Sequence, residues 1–446
     1  MSKDNSNQYI DWFRHSSPYI NAHRGKTFVL MIGGEALADP NLTHIVHDIA
    51  LLSSLGVRLV LVFGSRPQIE ERLQALGLPT RLHHHQRITD ATTLQCAIEA
   101  AGVLRTRLES LFSMGLSNTP MHGARIRVCS GNFVTARPAG VVDGFDLGHT
   151  GELRRVDHAA IRKQLDLNNI VLISNLGFSP TGEVFNLSVE EVATRTATAL
   201  NADKLILFGS EAGITDSHGD LRSELLAATA KRWVSQYLAS LDDPSQAHTE
   251  TARLLQAAAE ACEEGVPRCH LISYQRDGAL IAELLTRDGS GTMVVRESYE
   301  QIRTAGIDDV GGILELIAPL EAKGILVRRS RERLETEIER FTVIERDGAI
   351  IGCAALYPFD EEQTGELACV AIDNNYRGGE RGDRLLTSLE TQAREQGLTQ
   401  LFVLTTRTAH WFIERGFKEA SLDALPGEKK ALYNFQRNSK VFFKSL

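Results

Sequence analysis

The chain has 446 residues, long enough for two or three domains, and 43% hydrophobic with 24% charged residues supports a packed core under a solvated surface. A net charge of −9 excludes the basic stripes of a nucleic-acid-binding surface, so any anionic substrate has to be met by a local cluster of Arg. Six scattered cysteines without a Cys-x-x-Cys pair point to neither a disulfide framework nor a zinc site, and no apolar run approaches the ~20 residues of a membrane span.

In chain order, residues 1–24 come first as a helical segment. Met1 to Arg14 lacks the apolar stretch of a signal peptide, so a cytoplasmic location is expected, with no membrane or nucleic-acid partner. Tyr9, Ile10, Trp12, Phe13, Tyr19 and Ile20 make this segment amphipathic, as for a helix that packs on a neighbouring subunit. Residues 25–295 then alternate apolar strands with helices. Thr27 to Ile32 ends at Gly33-Gly34, and Arg58 to Phe63 ends at Gly64-Ser65-Arg66-Pro67. Further strands are expected at 126–128, 170–174, 204–208, 270–272 and 291–295. Continuous apolar strands between helices predict a parallel sheet covered on both faces, with a ligand cleft at its carboxyl edge. The run His83-His84-His85 reads as a surface loop, because three adjacent side chains diverge and cannot share a metal. Arg276-Asp277-Gly278 reads as a hairpin, and Asp288-Gly289-Ser290-Gly291 as a tight turn.

Residues 296–446 carry a different pattern. A helix is expected at 307–321 and a charged helix at 330–340. Strands at 341–345 and 350–356 flank Asp347-Gly348, a second hairpin signal. The strand Glu366 to Ile372 leads through Asp373-Asn374-Asn375-Tyr376 into Arg377-Gly378-Gly379-Glu380-Arg381-Gly382 and a helix running to 396. A strand, a glycine-rich loop and a helix N-terminus in that order present backbone N–H groups to an anion such as a pyrophosphate. A strand at 400–405, a short helix through Trp411 and Ile413, and a last strand within 432–441 complete a compact α+β domain.

The second domain resembles the GNAT family of acetyl-CoA-dependent N-acetyltransferases. In that family an Arg/Gln-x-x-Gly-x-Gly/Ala loop after the fourth strand holds the coenzyme A pyrophosphate. Arg377, Arg381 and Gly382 match it, Gly378 and Gly379 supply flexibility, and Glu380 stands where a Gly is usual. Phe412 replaces a Tyr that serves as general acid in many relatives. The first domain resembles the amino-acid kinase family, through Gly33-Gly34, Gly64 to Ile69, Asn186-Leu187-Ser188, Ala202 to Leu207 and Asp288 to Thr292. The phosphoryl-stabilising Lys of those kinases is Met31 here, and Glu190 replaces a metal-organising Asp, so phosphoryl transfer is not expected. Joined in this order, the two domains resemble the bacterial N-acetylglutamate synthase family. The resemblance implies an amino-acid kinase-like parallel-sheet sandwich followed by a GNAT-type α+β domain. It further implies acetyl transfer from acetyl-CoA to L-glutamate in arginine biosynthesis, inhibition by L-arginine on the kinase-like domain, and a homo-oligomer, a hexamer in the family. Acetyl-CoA enters as co-substrate, with no permanently bound cofactor and no metal. The alternatives are a non-catalytic arginine sensor and an acetylglutamate kinase-type enzyme carrying an accessory acetyltransferase domain.

Amine acetylation needs a base for the ammonium, polarisation of the thioester carbonyl and departure of the thiolate. Glu366, at the start of the strand beside the coenzyme loop, is the candidate base. A backbone N–H near Cys369 or Val370 is the candidate oxyanion donor. Cys369 itself is expected to line the site rather than attack. Thr405, closing the next strand, is a candidate to hydrogen-bond the leaving thiolate or a substrate group, and Tyr433 is a rival for the acid role. Val370, Ala371 and Ile372, with the loop residues and Asp383, are candidates for contact with the coenzyme. Glutamate carries two carboxylates, each suited to a bidentate cation; by resemblance Arg329, Arg437 and Ser439 supply them. For arginine, Glu283 with the Ser290 and Gly291 turn is the candidate site, and the resemblance to arginine-sensitive relatives implies that the N-terminal helix completes it through Tyr19; Glu283 reads equally as an exposed strand charge.

Overall fold

The computed structural model describes residues 3–83, 86–114, 126–215, 219–240, 249–297, 300–346, 348–376, 381–431 and 439–446. It divides into two compact units, residues 1–298 and 299–446.

The first unit is built on eight strands: β1 (Thr27–Ile32), β2 (Arg58–Phe63), β3 (Val128–Ser130), β4 (Ile170–Ser174), β5 (Lys204–Gly209), β6 (Glu224–Leu226), β7 (Arg268–Ser273) and β8 (Thr292–Val295), in the order β6-β8-β7-β5-β1-β2-β4-β3. Neighbours run parallel except β7 and β8. The alternation of side chains explains why these strands are apolar throughout. Val29 and Met31 face one layer of core, while Phe28, Leu30 and Ile32 face the other. Four helices frame the candidate sites of this unit: α1 (Lys3–His23), α2 (Val189–Leu200), α3 (Glu250–Glu263) and α4 (Ala279–Leu285). α2 and α3 cover the Val29 face, through Val192, Ala193, Leu254 and Ala258, and α4 covers the other through Leu280 and Leu284. Ser188 caps α2 by accepting the Glu191 N–H at 3.3 Å, and Thr249 caps α3 through the Ala252 N–H, also at 3.3 Å.

Three features depart from the sequence expectation. Arg276-Asp277-Gly278 is not a hairpin, because Gly278, at φ +70°, turns the chain into α4. Glu283 is therefore on a helix, and its side chain is buried rather than exposed. A second sheet, in the order Val184–Asn186, Leu176–Phe178, Val134–Pro138, Gly151–Val156, lies within the first unit. Helix α1 docks its C-terminal part on the unit itself: Ser16 and His23 are buried and Tyr19 and Ile20 pack on the core, while Ile10, Trp12 and Phe13 remain exposed.

The second unit has one sheet of β9 (Gln301–Thr304), β10 (Phe341–Arg346), β11 (Ala349–Phe359), β12 (Thr364–Ile372), β13 (Gln400–Thr405), β14 (Lys418–Ala420) and β15 (Lys440–Ser445), in the order β9-β10-β11-β12-β13-β15-β14. β10 and β11 pair antiparallel as expected, with Arg346 opposite Ala349. Helices α5 (Val310–Ala322) and α6 (Arg331–Glu337) cover the face that carries Phe341, Val343, Cys353 and Ala355. Helix α7 (Arg381–Glu395) covers the opposite face with Leu385, Leu386 and Leu389. No helix among the described residues is long and apolar enough to cross a membrane.

Candidate active site

The site forms where two parallel strands part. β12 and β13 pair from Thr364↔Gln400 to Leu367↔Val403, and the register then ends. Beyond Leu367, β12 follows β11 alone, and β13 follows β15. A wedge opens between them. On its β11 side β12 is bulged: Ala355 opposes Ala368 and Cys353 opposes Ala371, so Cys369 and Val370 have no directly facing residue. Cys369 sits at φ +54°, an uncommon conformation for a residue with a Cβ. Bulges of this kind re-aim backbone groups, and this one turns the Cys369–Val370 segment out of both ladders at the mouth of the wedge. Ala371 and Ile372 return to register opposite Cys353 and Gly352.

Glu366 lies just before the wedge, on the last paired stretch, opposite Tyr357 on β11 and Phe402 on β13. It is 7% exposed, and its Oε1 is 2.7 Å from Lys429 Nζ on the short Gly427–Ala431 helix. On the same sheet face the Tyr357 hydroxyl donates to Glu337 Oε2 at 2.5 Å, and Arg333 Nε donates to the other oxygen at 3.0 Å. Burial, reinforced by the bond to Glu337, pushes the Tyr357 hydroxyl up to about 12, so it keeps its proton at neutral pH. Arg329 completes the group. Burial opposes its charge, but Cys369, Tyr357 and Glu337 outweigh burial and hold its pKa above the ordinary value. Its backbone N–H donates to Glu321 at 2.9 Å, while its Nε is buried with no hydrogen-bond partner among the described residues. A half-buried guanidinium whose Nε–H is buried and unused is poised for an acceptor such as a carboxylate. The Cys353 thiol lies against Cys369 and, with Arg329, holds the Cys369 thiol below its usual range against the effect of burial. Lys429, Tyr357 and Glu337 are absent from the sequence-derived site.

Thr405 closes β13 with its hydroxyl already engaged. It lies 2.8 Å from Thr408 Oγ1 and accepts the Thr408 N–H at 3.0 Å, which fixes the turn after the strand. Ser439 stands immediately before β15. Tyr433 and Arg437, like Arg377, Gly378 and Gly379 of the coenzyme loop, lie outside the described residues.

At the N-terminus of α7, Arg381 donates to Glu300 from Nε at 2.8 Å and Nη2 at 2.6 Å, and Arg384 and Arg346 reach the same carboxylate at 3.3 Å. Three guanidinium groups around one carboxylate leave net positive charge where the helix dipole is also positive. Gly382 is required by packing, since a Cβ there would come within 2.9 Å of Trp411 Cζ2. Asp383 forms an ion pair with Arg415, which in turn stacks 4.1 Å above the Trp411 ring.

In the first unit, Glu283, Ser290 and Gly291 come together. Glu283 Oε2 accepts the Ser290 and Gly291 N–H groups at 2.6 and 2.8 Å, and Oε1 lies 2.6 Å from His270 Nδ1. Lys204 Nζ is 3.3 Å from His270 Nε2. From α1, His23 Nε2 reaches the Leu284 carbonyl at 2.8 Å, so the helix that carries Tyr19 is docked beside α4. Elsewhere in this unit the strand-end glycines line a cavity of about 490 Å³. Met31, 1% exposed, lines it at the end of β1, and Glu190 is tied to Arg253 at 2.9 Å. Gly34 admits the start of the helix Arg66–Ala75, since a Cβ would fall 2.6 Å from Pro67 Cδ. Among the described residues no cluster of His, Cys, Asp and Glu is arranged to hold a metal.

Residues 26–273 match the Amino acid kinase family and residues 313–417 the Acetyltransferase (GNAT) family. The amino-acid acetyltransferase of Ectopseudomonas mendocina is 58% identical over 438 residues, covering 98% of this chain and 99% of the relative. That of Azotobacter vinelandii is 58% identical over 442 residues, covering 98% and 99%. A crystal structure of N-acetylglutamate synthase from Neisseria gonorrhoeae complexed with coenzyme A and L-arginine is 38% identical, with a TM-score of 0.82 over 98% of this chain and 99% of that one. The same synthase complexed with coenzyme A and N-acetyl-glutamate gives 39% identity and a TM-score of 0.62 over equal coverage. With both halves of its fold matched and its full length shared, the chain belongs to the amino-acid acetyltransferase family, the N-acetylglutamate synthases.

Proposed function

We propose that Glu366 and the β12 bulge carry out acetyl transfer from acetyl-CoA to the α-amine of L-glutamate. The observation that carries this reading is the buried carboxylate at the point where β12 and β13 part, next to an N–H-bearing bulge. Glutamate enters as an ammonium. Glu366 takes a proton from it, directly or through a water molecule, and the freed amine attacks the thioester carbon. The carbonyl oxygen becomes an oxyanion, and the N–H of the Cys369–Val370 segment stabilises it. The C–S bond then breaks, and the surplus proton on the new amide nitrogen passes to the departing thiolate through the hydroxyl of Thr405 or Tyr433, so that the amide and the free thiol of coenzyme A leave with one proton held on Glu366. Arg329 takes one substrate carboxylate, and Arg437 with Ser439 takes the other. The pyrophosphate lies against the Arg377 to Gly382 loop and the start of α7, where Arg381 contributes its backbone N–H while its side chain serves Glu300.

L-Arginine regulates the reaction from the first unit, through Glu283, the Ser290–Gly291 turn and Tyr19. The gonococcal synthase binds coenzyme A, L-arginine and N-acetyl-glutamate, which supports these assignments for a chain 38% identical to it. The exposed Ile10, Trp12 and Phe13 of α1 support a homo-oligomer, with the hexamer as the expected form. Light scattering on the wild type and on Trp12→Glu tests that assembly: a smaller species in the variant is expected, and an unchanged mass contradicts it. The chemistry itself is tested by coenzyme A release with glutamate, aspartate and glutamine as acceptors. Only glutamate should give efficient turnover, because only it presents two carboxylates at the right separation. Efficient turnover of glutamine would exclude the paired-Arg reading.

A further inference from the structure

Glu300 stands immediately before β9 in the second unit, and strand geometry fixes what it meets. Gln301 pairs with Glu345 on β10, so the next step of the antiparallel ladder brings Glu300 to Arg346. Side chains alternate along a strand, which puts Glu300 on the same face as Ile302. Ile302 packs against the core that holds Leu385, Leu386 and Leu389 of α7, so that face delivers Glu300 to the same helix. The carboxylate is buried, with 4% of its side chain exposed. Arg381, the first residue of α7, donates to Glu300 Oε1 from both Nε and Nη2, at 2.8 and 2.6 Å, and from Nη1 to the Tyr376 carbonyl at 3.2 Å. Arg384 reaches Oε2 and Arg346 reaches Oε1, each at 3.3 Å. The Arg346 and Arg381 guanidiniums both lie 5.6 Å from the centre of the Tyr376 ring. Tyr376 and Arg381 flank residues 377–380 of the glycine-rich loop. One carboxylate thus anchors both flanks, directly or through a guanidinium. Such a buried ion cluster adds little stability over apolar packing, so its consequence here is geometric.

We propose that Glu300 is a positioning residue for coenzyme binding: by gripping Arg381 it fixes the first turn of α7, so that the backbone N–H groups there face the pyrophosphate. The proposal rests on the reading of the Arg377 to Gly382 loop as the pyrophosphate site. Glu300 acts through Arg381 and does not touch the coenzyme. Its own charge works against an anion, so the sign of its effect separates two roles. Acting only through space, the carboxylate weakens pyrophosphate binding, and its removal uncovers three guanidiniums and tightens the complex. Acting by position, its removal lets three like charges spread, frees the Arg381 side chain and lets the helix start fray, and the complex weakens. The geometry favours position: two nitrogens of Arg381 converge on one carboxylate oxygen, and that side chain is 17% exposed.

Calorimetric titration of coenzyme A into the full chain tests the proposal, with Glu300→Gln, Arg381→Lys and the double variant beside the wild type. Lys keeps the cation but cannot donate from two nitrogens. Each single substitution should weaken coenzyme A binding about tenfold, and the double variant no further, because both break one contact. In steady state the acetyl-CoA KM should rise about tenfold, while kcat and the glutamate KM change less than about threefold. The loss should depend on the pyrophosphate. The ratio of kcat/KM for acetyl-CoA to that for S-acetylpantetheine should fall about tenfold, a readout that a loss of folded enzyme leaves unchanged. Unchanged or tighter coenzyme A binding in Glu300→Gln, losses that add in the double variant, or an equal loss with S-acetylpantetheine would overturn the proposal. A wild type that binds coenzyme A no better than pantetheine would remove the pyrophosphate reading and the proposal with it. A wild type that prefers coenzyme A, beside a silent Glu300→Gln, would remove the Glu300 role alone. Should Glu300→Gln fail to fold, Arg381→Lys and its donor ratio decide the matter.

Discussion

Glu366 can act as a base only after its carboxylate exchanges Lys429 for the substrate ammonium, because the two are 2.7 Å apart. Glu366→Gln keeps the shape and removes the base. It should lower kcat by about 10²-fold or more, while coenzyme A binding, measured by calorimetry, stays within a factor of a few. Unchanged turnover would remove Glu366 from the mechanism. Cys369 separates thiol from backbone. Cys369→Ala tolerates φ +54° about as well as cysteine does and leaves the bulge N–H in place, so kcat should fall by less than about fivefold. Cys369→Val crowds that conformation at a cost of about 1–2 kcal/mol and should flatten the bulge, with a much larger loss of kcat. Equal effects of the two substitutions would show that the thiol matters and the bulge does not. Arg329→Ala should raise the glutamate KM at least tenfold with a smaller change in kcat, since it removes a carboxylate partner whose Nε is otherwise unused. At this scale the sequence was informative about residues whose chemistry is local. Glu366 stands out as a candidate from its place beside a glycine-rich loop. Lys429 does not, because it approaches from a helix more than sixty positions later in the chain. Tyr357 becomes visible only once the β11–β12 register places it opposite Glu366.

The long elements were legible because their pattern follows from burial. β1, β2, β4 and β5 are covered on both faces and read as unbroken apolar runs. The second sheet of the first unit was not legible. Its strands are three to six residues long and mix buried with exposed positions, and Arg137, Arg154 and Arg155 interrupt the two longer ones, so no period stands out. The Gly278 turn misled for a different reason. Asp-Gly serves a hairpin or a helix start equally well, and only tertiary context chose the helix. Helix α1 makes a prediction at this scale. Burial first, and then the charge of Lys204, lower the His23 pKa from 6.5 to about 4, so the docked helix holds a neutral imidazole. The unfolded histidine titrates near 6.5. Stability from this docking is therefore complete above about pH 6.5 and falls as the pH drops towards 4, by on the order of 2–3 kcal/mol. Thermal melts between pH 7.5 and 4.5 should show that decline in the wild type and a shallower one in His23→Gln. Parallel curves would mean that His23 does not report the docking.

Across the molecule, the division of labour is chemical. The first unit keeps the amino acid kinase fold, but Met31 is buried in its core and Glu190 is held by Arg253. Reversing one substitution should not restore phosphoryl transfer. Met31→Lys would bury an ammonium among apolar neighbours and should lower Tm without producing ATP turnover. The second unit has the wedge, the bulge and the buried carboxylate on which the proposed acetyl transfer relies. One measurement bears on this division most directly: the purified full-length protein, assayed in parallel for coenzyme A release from acetyl-CoA with L-glutamate and for ADP release from ATP with N-acetyl-L-glutamate. The account predicts glutamate-dependent coenzyme A release, lost in Glu366→Gln, and no ADP above background. Steady ADP release, or coenzyme A release that neither needs glutamate nor responds to Glu366→Gln, would contradict it.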